Sequence, residues 1–261
     1  MNPRSSIFIT GAASGIGRET ALLFAQRGWF VGIADTNEAG LAALARQIGS
    51  DDCHVSVLDV TDPARYQDRL AAFAARTGGR LQVLFNNAGI VRMGLNESIP
   101  LAQQHLMVNI NINGVLNGVH HALPYLKNTP GAHIVTMCSV SSMYGMPELA
   151  VYSATKHAVR ALTEAFSLEL AHHGIVVADI VVPYVNTPLV HAASLQAYSV
   201  ARTGVNLEPL QVAELAWKAA HGRRLHWKLH YLTHMLGLLF WLLPCVRRPL
   251  IRRLCLSPAW R

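Results

Sequence analysis

Tyr152 stands four residues before Lys156 and thirteen after Ser139. These residue types supply a phenol that can give or take a proton, a cation that can tune it and a hydroxyl that can aim a substrate oxygen. They suit redox chemistry at a carbonyl or alcohol carbon, where a proton must move on or off oxygen. The segment Ala150 to Ala165 has helical periodicity, so the four-residue spacing puts both side chains on one helix face. A tyrosine with the ordinary pKa of about 10 is a poor base at neutral pH unless a nearby positive charge favours its phenolate. Lys156 is placed to do this. Tyr-x-x-x-Lys can also be an exposed pair on a solvated helix, and the loops upstream decide between the two.

Elements that would position these residues follow from periodicity. Short apolar, β-branched runs at Ser5 to Thr10, Phe30 to Ala34, His54 to Leu58, Val83 to Phe85, His133 to Cys138 and Ile175 to Val182 read as buried strands of a parallel sheet. Between them, Arg18 to Gln26, Ala39 to Ile48, Pro63 to Arg76 and Leu101 to Leu126 carry helical spacing. The alternation predicts an α/β fold, a doubly wound parallel sheet between two helical layers, with ligands at the carboxyl ends of the strands. Alternating Leu225, Trp227, Leu229 and Tyr231 predict a seventh, edge strand. His226, His230 and His234 would align on a helix instead, but a metal site there would need further ligands that the tail lacks.

The loops after the strands carry the second set of signals. Thr10-Gly11-Ala12-Ala13-Ser14-Gly15-Ile16-Gly17 ends the first strand and opens a helix. Glycines there let the backbone approach a pyrophosphate, and the helix N-terminus offers unpaired N–H groups. Gly11, Ser14, Gly15, Ile16 and Gly17 are the candidate contacts. Asp35 closes the second strand, where a carboxylate accepts ribose hydroxyls and repels a 2′-phosphate, favouring NAD over NADP. No Arg or Lys stands at Ala13 or Thr36 to recognise that phosphate. Asp35 can also be read as a turn or helix-capping residue. Asp59 with Val60, and Asn87 with Gly89, end the third and fourth strands; Asp59 could meet an adenine edge. Asn109, Asn111 and Asn113 lie in a helical stretch where Asn is a weak former, so at least one is expected to have a buried polar task.

Composition bounds the setting. With 261 residues, 51% of them hydrophobic, the chain can bury a large single core. Cys53, Cys138, Cys245 and Cys255 have no ligand or disulfide-framework spacing, which fits a reducing cytoplasm, and no signal core precedes the first strand. The net charge is +7, but Gly222 onward holds eight of the 22 Lys/Arg and no Asp or Glu, leaving 14 basic against 15 acidic residues before it. A near-neutral body with one basic end does not suit a nucleic-acid groove.

Taken together, TGAASGIG at Thr10 to Gly17, Asp59-Val60, NNAG at Asn86 to Gly89, Asn111, Ser139 and YSATK at Tyr152 to Lys156 resemble the short-chain dehydrogenase/reductase family over roughly Arg4 to Tyr231. The resemblance implies a Rossmann-type fold, NAD(P), a homodimer or homotetramer, and hydride transfer between nicotinamide and an alcohol or ketone. It makes Tyr152 the acid/base. Lys156 would lower the Tyr152 pKa and bond the nicotinamide ribose, Ser139 would orient the substrate oxygen, and Asn111 would hold a relay water. Pro183, Val185 and Thr187 fall where the family meets the carboxamide. Where the family usually has Pro-Gly, this chain has Pro183-Tyr184, which implies a reshaped substrate mouth or a stiffer loop.

The following segment, Leu189 to Leu207, falls where the family has its lid, and Leu189, Val190, Leu195, Tyr198 and Val205 make it apolar. A small lipophilic alcohol or ketone is the expected substrate, although these residues could equally pack the lid onto the body. Residues 1–231 read as the NAD-binding domain and residues 232–261 as an apolar, basic extension. The run Leu232 to Val246 is shorter than the roughly 20 residues of a membrane span. With Trp241 and the flanking arginines it suits an anionic membrane surface, at the inner face of a membrane. Packing on a neighbouring subunit or over the active-site mouth are the competing readings. The alternative function is a catalytically silent NAD(H) sensor or membrane-associated scaffold on the same fold.

Overall fold

Six of the apolar runs form strands: β1 (Ser6–Thr10), β2 (Phe30–Asp35), β3 (Cys53–Val57), β4 (Val83–Asn86), β5 (His133–Met137) and β6 (Val176–Val181). The computed structural model describes residues 4–191, 197–229, 235, 238–240 and 242–257. Leu195, His230, Tyr231, His234 and Trp241, named above, lie outside the described residues. Within one seven-stranded sheet the order is β3-β2-β1-β4-β5-β6-β7, every neighbouring pair parallel. Strand order reverses between β1 and β4, and a crevice must open there at the carboxyl ends.

Alternation along β1 shows why these runs are apolar throughout. Ile7 and Ile9 pack on one face with Phe24 of α1 (Gly15–Gln26) and Val212 of α9 (Pro209–Ala219). Phe8 packs on the other with Tyr66, Leu70 and Phe73 of α3 (Pro63–Arg76) and Val119 of α5 (Gly114–Lys127). Both faces are covered, so each fully buried side chain of this size contributes about 2 kcal/mol of apolar transfer. The remaining helices are α2 (Glu38–Ile48), α4 (Leu101–Val108), α6 (Ala150–Glu169), α7 (Pro188–His191), α8 (Tyr198–Thr203) and α10 (Pro244–Cys255).

One sequence expectation is corrected and another is met. The helix expected over Leu101 to Leu126 is divided by a π turn, Asn109–Asn113. Asn111 is drawn inward there to hydrogen-bond Ile90, and Gly114 sits where a Cβ would lie 2.6 Å from Val60 Cγ2. The seventh strand, β7 (His226–Lys228), stands at the edge of the sheet beside β6, as the alternating pattern predicts. On its polar side His226 Nδ1 lies 2.9 Å from Oδ1 of Asp179, which is fully buried on β6.

Candidate functional site

At the end of β1 the chain turns through Gly11 (φ 67°) and Gly15 (φ 52°), both in the left-handed region. A Cβ on Gly11 would come within 2.9 Å of Ala88 Cα, so only glycine permits the approach of the two loops. Ser14 begins α1 without a side-chain cap, and the first turn carries no acidic residue. Unpaired N–H groups and the positive end of a three-turn helix are therefore presented to an anion. Asp35 is fixed rather than mobile: Oδ2 accepts from Ala13 N at 3.0 Å and Oδ1 from Asn37 N at 2.9 Å. The helix cap is Asn37, which accepts from Gly40 N, so the capping reading of Asp35 is displaced.

Asn87 locks the fourth loop onto the first. Its Nδ2 donates to the Thr10 and Gly11 carbonyls, at 2.9 and 3.0 Å, while the Asn87 and Ala88 N–H groups both reach Thr10 Oγ1. Thr10 is a positioning residue that the spacing argument passed over, although it opens the glycine motif. Asp59 accepts from both N and Oγ1 of Thr61 with one oxygen, forming a local turn.

Ser139 follows β5 and caps a short 3-10 turn, Val140–Ser142, its Oγ accepting from Ser141 N at 3.2 Å. Tyr152 and Lys156 lie on the first turns of α6, with Lys156 Nζ 5.6 Å from the centre of the Tyr152 ring. Burial raises the Tyr152 phenol well above its ordinary range; Cys138 adds to this, and a hydrogen bond with the Ser139 side chain opposes it. Lys156 donates instead to the Met137 carbonyl at 2.8 Å. Its own pKa is lowered by burial, against the opposing influence of Cys138 and Asp179. The Lys156 ammonium is thus directed at the β5 backbone, 5.6 Å from the centre of the Tyr152 ring.

One cleft of about 350 Å³ gathers Gly11, Ser14, Gly15, Ile16, Asp35, Asp59, Val60, Asn87, Gly89, Ser139, Tyr152, Lys156, Pro183, Val185 and Thr187 on its walls. Gly17 and Asn111 stand behind the residues that line the cleft. A Cβ on Gly17 would fall 2.2 Å from the Gly11 carbonyl oxygen, so its task is close packing of α1 under the loop. Asn111 commits both side-chain N–H donors to protein: Nδ2 reaches the Ile90 carbonyl at 2.9 Å and Thr155 Oγ1 at 3.1 Å, while Oδ1 accepts from Ile90 N. The cleft walls fit a dinucleotide: an anion-binding helix start, a fixed carboxylate at β2 and a run of closely approaching backbone.

Beyond Tyr152 the cleft becomes apolar, walled by Val91, Met93, Leu149 and Val190. Met93 and Leu149 carried no local signal; they are brought here by loops that only the sheet order places together. Glu148 takes φ 62°, the left-handed region uncommon outside glycine, and its carboxylate accepts from Tyr198 N. Tyr184 is the departure from Pro-Gly. Its hydroxyl lies 2.7 Å from Ser199 Oγ, tying the turn to α8. Thr187 closes against the glycine loop, where a Gly15 Cβ would touch its Cγ2 at 3.0 Å.

Comparison with known proteins agrees with this geometry. The short chain dehydrogenase family model matches residues 5–197. Cyclohexanol dehydrogenase of Acinetobacter sp. (strain SE19) is 32% identical over 214 residues, 79% of this chain and 84% of that protein. The 3-oxoacyl-(acyl-carrier-protein) reductase of Thermotoga maritima is 33% identical over 215 residues, 79% and 86% of the two chains. A short-chain dehydrogenase/reductase from Burkholderia phymatum, solved in complex with NAD, aligns with a TM-score of 0.84 at 25% identity, covering 94% of this chain and 95% of its own. A match of that extent, in sequence and in fold, means that the chain belongs to the short-chain dehydrogenase/reductase family and is an oxidoreductase.

Proposed function

We propose that the protein interconverts a secondary alcohol and its ketone with NAD, the substrate's lipophilic body lying in the apolar chamber. The observation that carries this is the meeting of Ser139, Tyr152 and Lys156 in the cleft shared by the glycine loop and the chamber. Cyclohexanol dehydrogenase, a relative over most of its length, acts on a ring alcohol of this kind.

NAD bound in the cleft supplies the hydride acceptor. Its pyrophosphate would meet the first turn of α1, its adenosine ribose Asp35, and its carboxamide end Val185 and Thr187. Ser139 Oγ holds the substrate oxygen and Tyr152 exchanges its proton. In reduction the phenol donates as the oxygen gains charge, a step that its raised pKa opposes and that a nearby positive charge must assist. In oxidation Tyr152 must receive the proton, so Lys156 has to turn from Met137 toward the ribose and the phenol. Asn111, through Thr155, holds the helix that carries both groups.

Measuring NADH formation across secondary alcohols, with Tyr152→Phe beside wild type, tests the reading. Loss of at least a hundredfold in kcat with NAD affinity retained is expected, on the scale of removing one acid/base group. Turnover unaffected by loss of the phenol would refute the mechanism; tight NAD binding with no turnover on any alcohol or ketone would favour the silent sensor.

The partners proposed are a small lipophilic substrate and a second copy of the chain, in a homodimer or homotetramer. Leu116 on α5 and Leu168 on α6 expose apolar surface for such an assembly. The setting proposed is the cytoplasm, where the free thiols Cys53, Cys138, Cys245 and Cys255 stay reduced.

A further inference from the structure

We propose that Tyr184 is the specificity-determining residue of this enzyme: its ring closes one side of the apolar chamber, and its bond to Ser199 holds the ring in place. The inference rests on the chamber being the substrate site, as proposed above. The turn after β6 that carries Tyr184 is pinned. Val185 bridges to Leu207, Asn186 N donates to the Leu207 carbonyl at 2.7 Å, and Thr187 Oγ1 donates to the Val185 carbonyl at 3.2 Å. Val182 and Val185 are buried in the core shared with α1 and α9. Tyr184, between them, belongs to a different cluster and packs against Val91, Met93, Leu149 and Val190, as Tyr152 does. Both phenols therefore line the one cleft, on the apolar chamber's walls.

The two phenols differ in what their hydroxyls do. Tyr152 bonds the Ser139 side chain, where the substrate oxygen would lie. Tyr184 bonds Ser199 Oγ at 2.7 Å, and Ser199 is 1% exposed, so this bond is made away from water. A buried phenol requires such a partner. Ser199 is itself fixed, since α8 buries Val200 in the same cluster and Ala197 N donates to Met93 Sδ at 3.4 Å. With its hydroxyl committed to α8, what Tyr184 offers a substrate is its ring. A glycine there would leave that side of the chamber open, whereas an aromatic side chain covers roughly 200 Å². Val91, Leu149 and Val190 offer no polar group, so the chamber discriminates by shape, and in such a site one methylene changes the rate roughly tenfold to two-hundredfold. The class admitted is a compact secondary alcohol or ketone, a simple ring or a short chain; a branched group beyond the ring is excluded. A purely structural task, joining the turn to α8, would leave the order of substrates unchanged.

The full-length enzyme is given NAD with cyclohexanol or 4-tert-butylcyclohexanol, and kcat/KM is measured for wild type and for variants at Tyr184 and Ser199. The ratio of the bulky alcohol to the compact one should rise about tenfold or more in Tyr184→Gly. Tyr184→Leu, which keeps part of the apolar bulk and so guards against loss of folding, should raise it by a smaller factor. Tyr184→Phe and Ser199→Ala release the ring without removing it; each should raise the ratio about threefold, and the double variant no further than either alone. A ratio unchanged in both Tyr184→Gly and Tyr184→Leu, or an equal fall on both alcohols, overturns the proposal in favour of a structural turn. Multiplied effects in the double variant overturn the part played by Ser199. A wild type that neither oxidises these alcohols nor reduces their ketones defeats the alcohol–ketone reading by itself. The two ketones are then titrated into the NADH complex, and the ratio of their Kd values, read by nicotinamide fluorescence, decides Tyr184 on the same terms.

Discussion

Replacing Asn111 by alanine removes three hydrogen bonds that join the π turn to two other parts of the site. They run from Ile90 N to Oδ1 at 2.9 Å, from Nδ2 to the Ile90 carbonyl at 2.9 Å, and from Nδ2 to Thr155 Oγ1 at 3.1 Å. Each is worth about 1 kcal/mol net, and the side chain is 1% exposed, so the loss is about 3 kcal/mol. For a chain of this length that corresponds to roughly 6–12 °C in Tm. Asn111→Asp is the sharper variant. It keeps the acceptor for Ile90 N but turns both donors into acceptors facing the Ile90 carbonyl and Thr155 Oγ1, whose proton already goes to the Tyr152 carbonyl at 2.7 Å. It should therefore be at least as destabilising as alanine despite its matching shape. Thermal and urea unfolding followed by circular dichroism would measure both, and kcat should fall about tenfold or more as α6 loses its tether. An aspartate variant as stable as wild type, or an alanine variant within about 1 kcal/mol of it, would refute the staple and return Asn111 to a purely chemical role.

Asp35→Ala should relax the preference for NAD over NADP and loosen the Ala13 backbone it now holds; an unchanged ratio of the two Kd values would mean that the carboxylate only shapes the turn. Gly17→Ala drives a Cβ to within 2.2 Å of the Gly11 carbonyl, so NAD affinity measured by fluorescence titration should fall sharply with a stability loss of about 3 kcal/mol, while an intact site would contradict the packing role. His226→Ala strips the buried Asp179 carboxylate of its partner and should cost about 3–5 kcal/mol, whereas the double variant with Asp179→Ala should cost less; additive losses would deny the coupling. Burial raises the Cys138 thiol from 9.0 to about 11. A raised folded-state pKa gives stability that is complete below pH 9 and is lost as pH climbs to 11, up to about 3 kcal/mol, so urea midpoints should fall less steeply with pH in Cys138→Ala over that window. Equal slopes would place the thiol in contact with water.

How much was legible depends on whether a signal is local. The strands from β1 to β6 were readable because a sheet covered on both faces demands unbroken apolar runs, and their ends were right within a residue or two. The glycine loop was readable because left-handed backbone at Gly11 and Gly15 leaves little choice of residue. The π turn was not, since 3.6-residue periodicity continues through Asn109 to Asn113 and only the reach of Asn111 to Ile90 widens the coil. Thr10, Met93 and Leu149 were missed for the same reason: their partners are distant in the chain. The seventh strand was legible from its alternation, but not that His226 would reach the buried Asp179 of β6, because alternation says which residues share a face and not what they meet.

Residue types and spacing by themselves determined the kind of chemistry, the dinucleotide loops and the alternating sheet, because each rests on a short-range requirement of backbone or proton transfer. Tertiary structure decided which way the lysine points, that Gly17 and Asn111 support the site from behind, and that Tyr184 is tied to Ser199. Those are outcomes of packing, in which a side chain's partners are set by elements tens of residues away, and no local pattern encodes them.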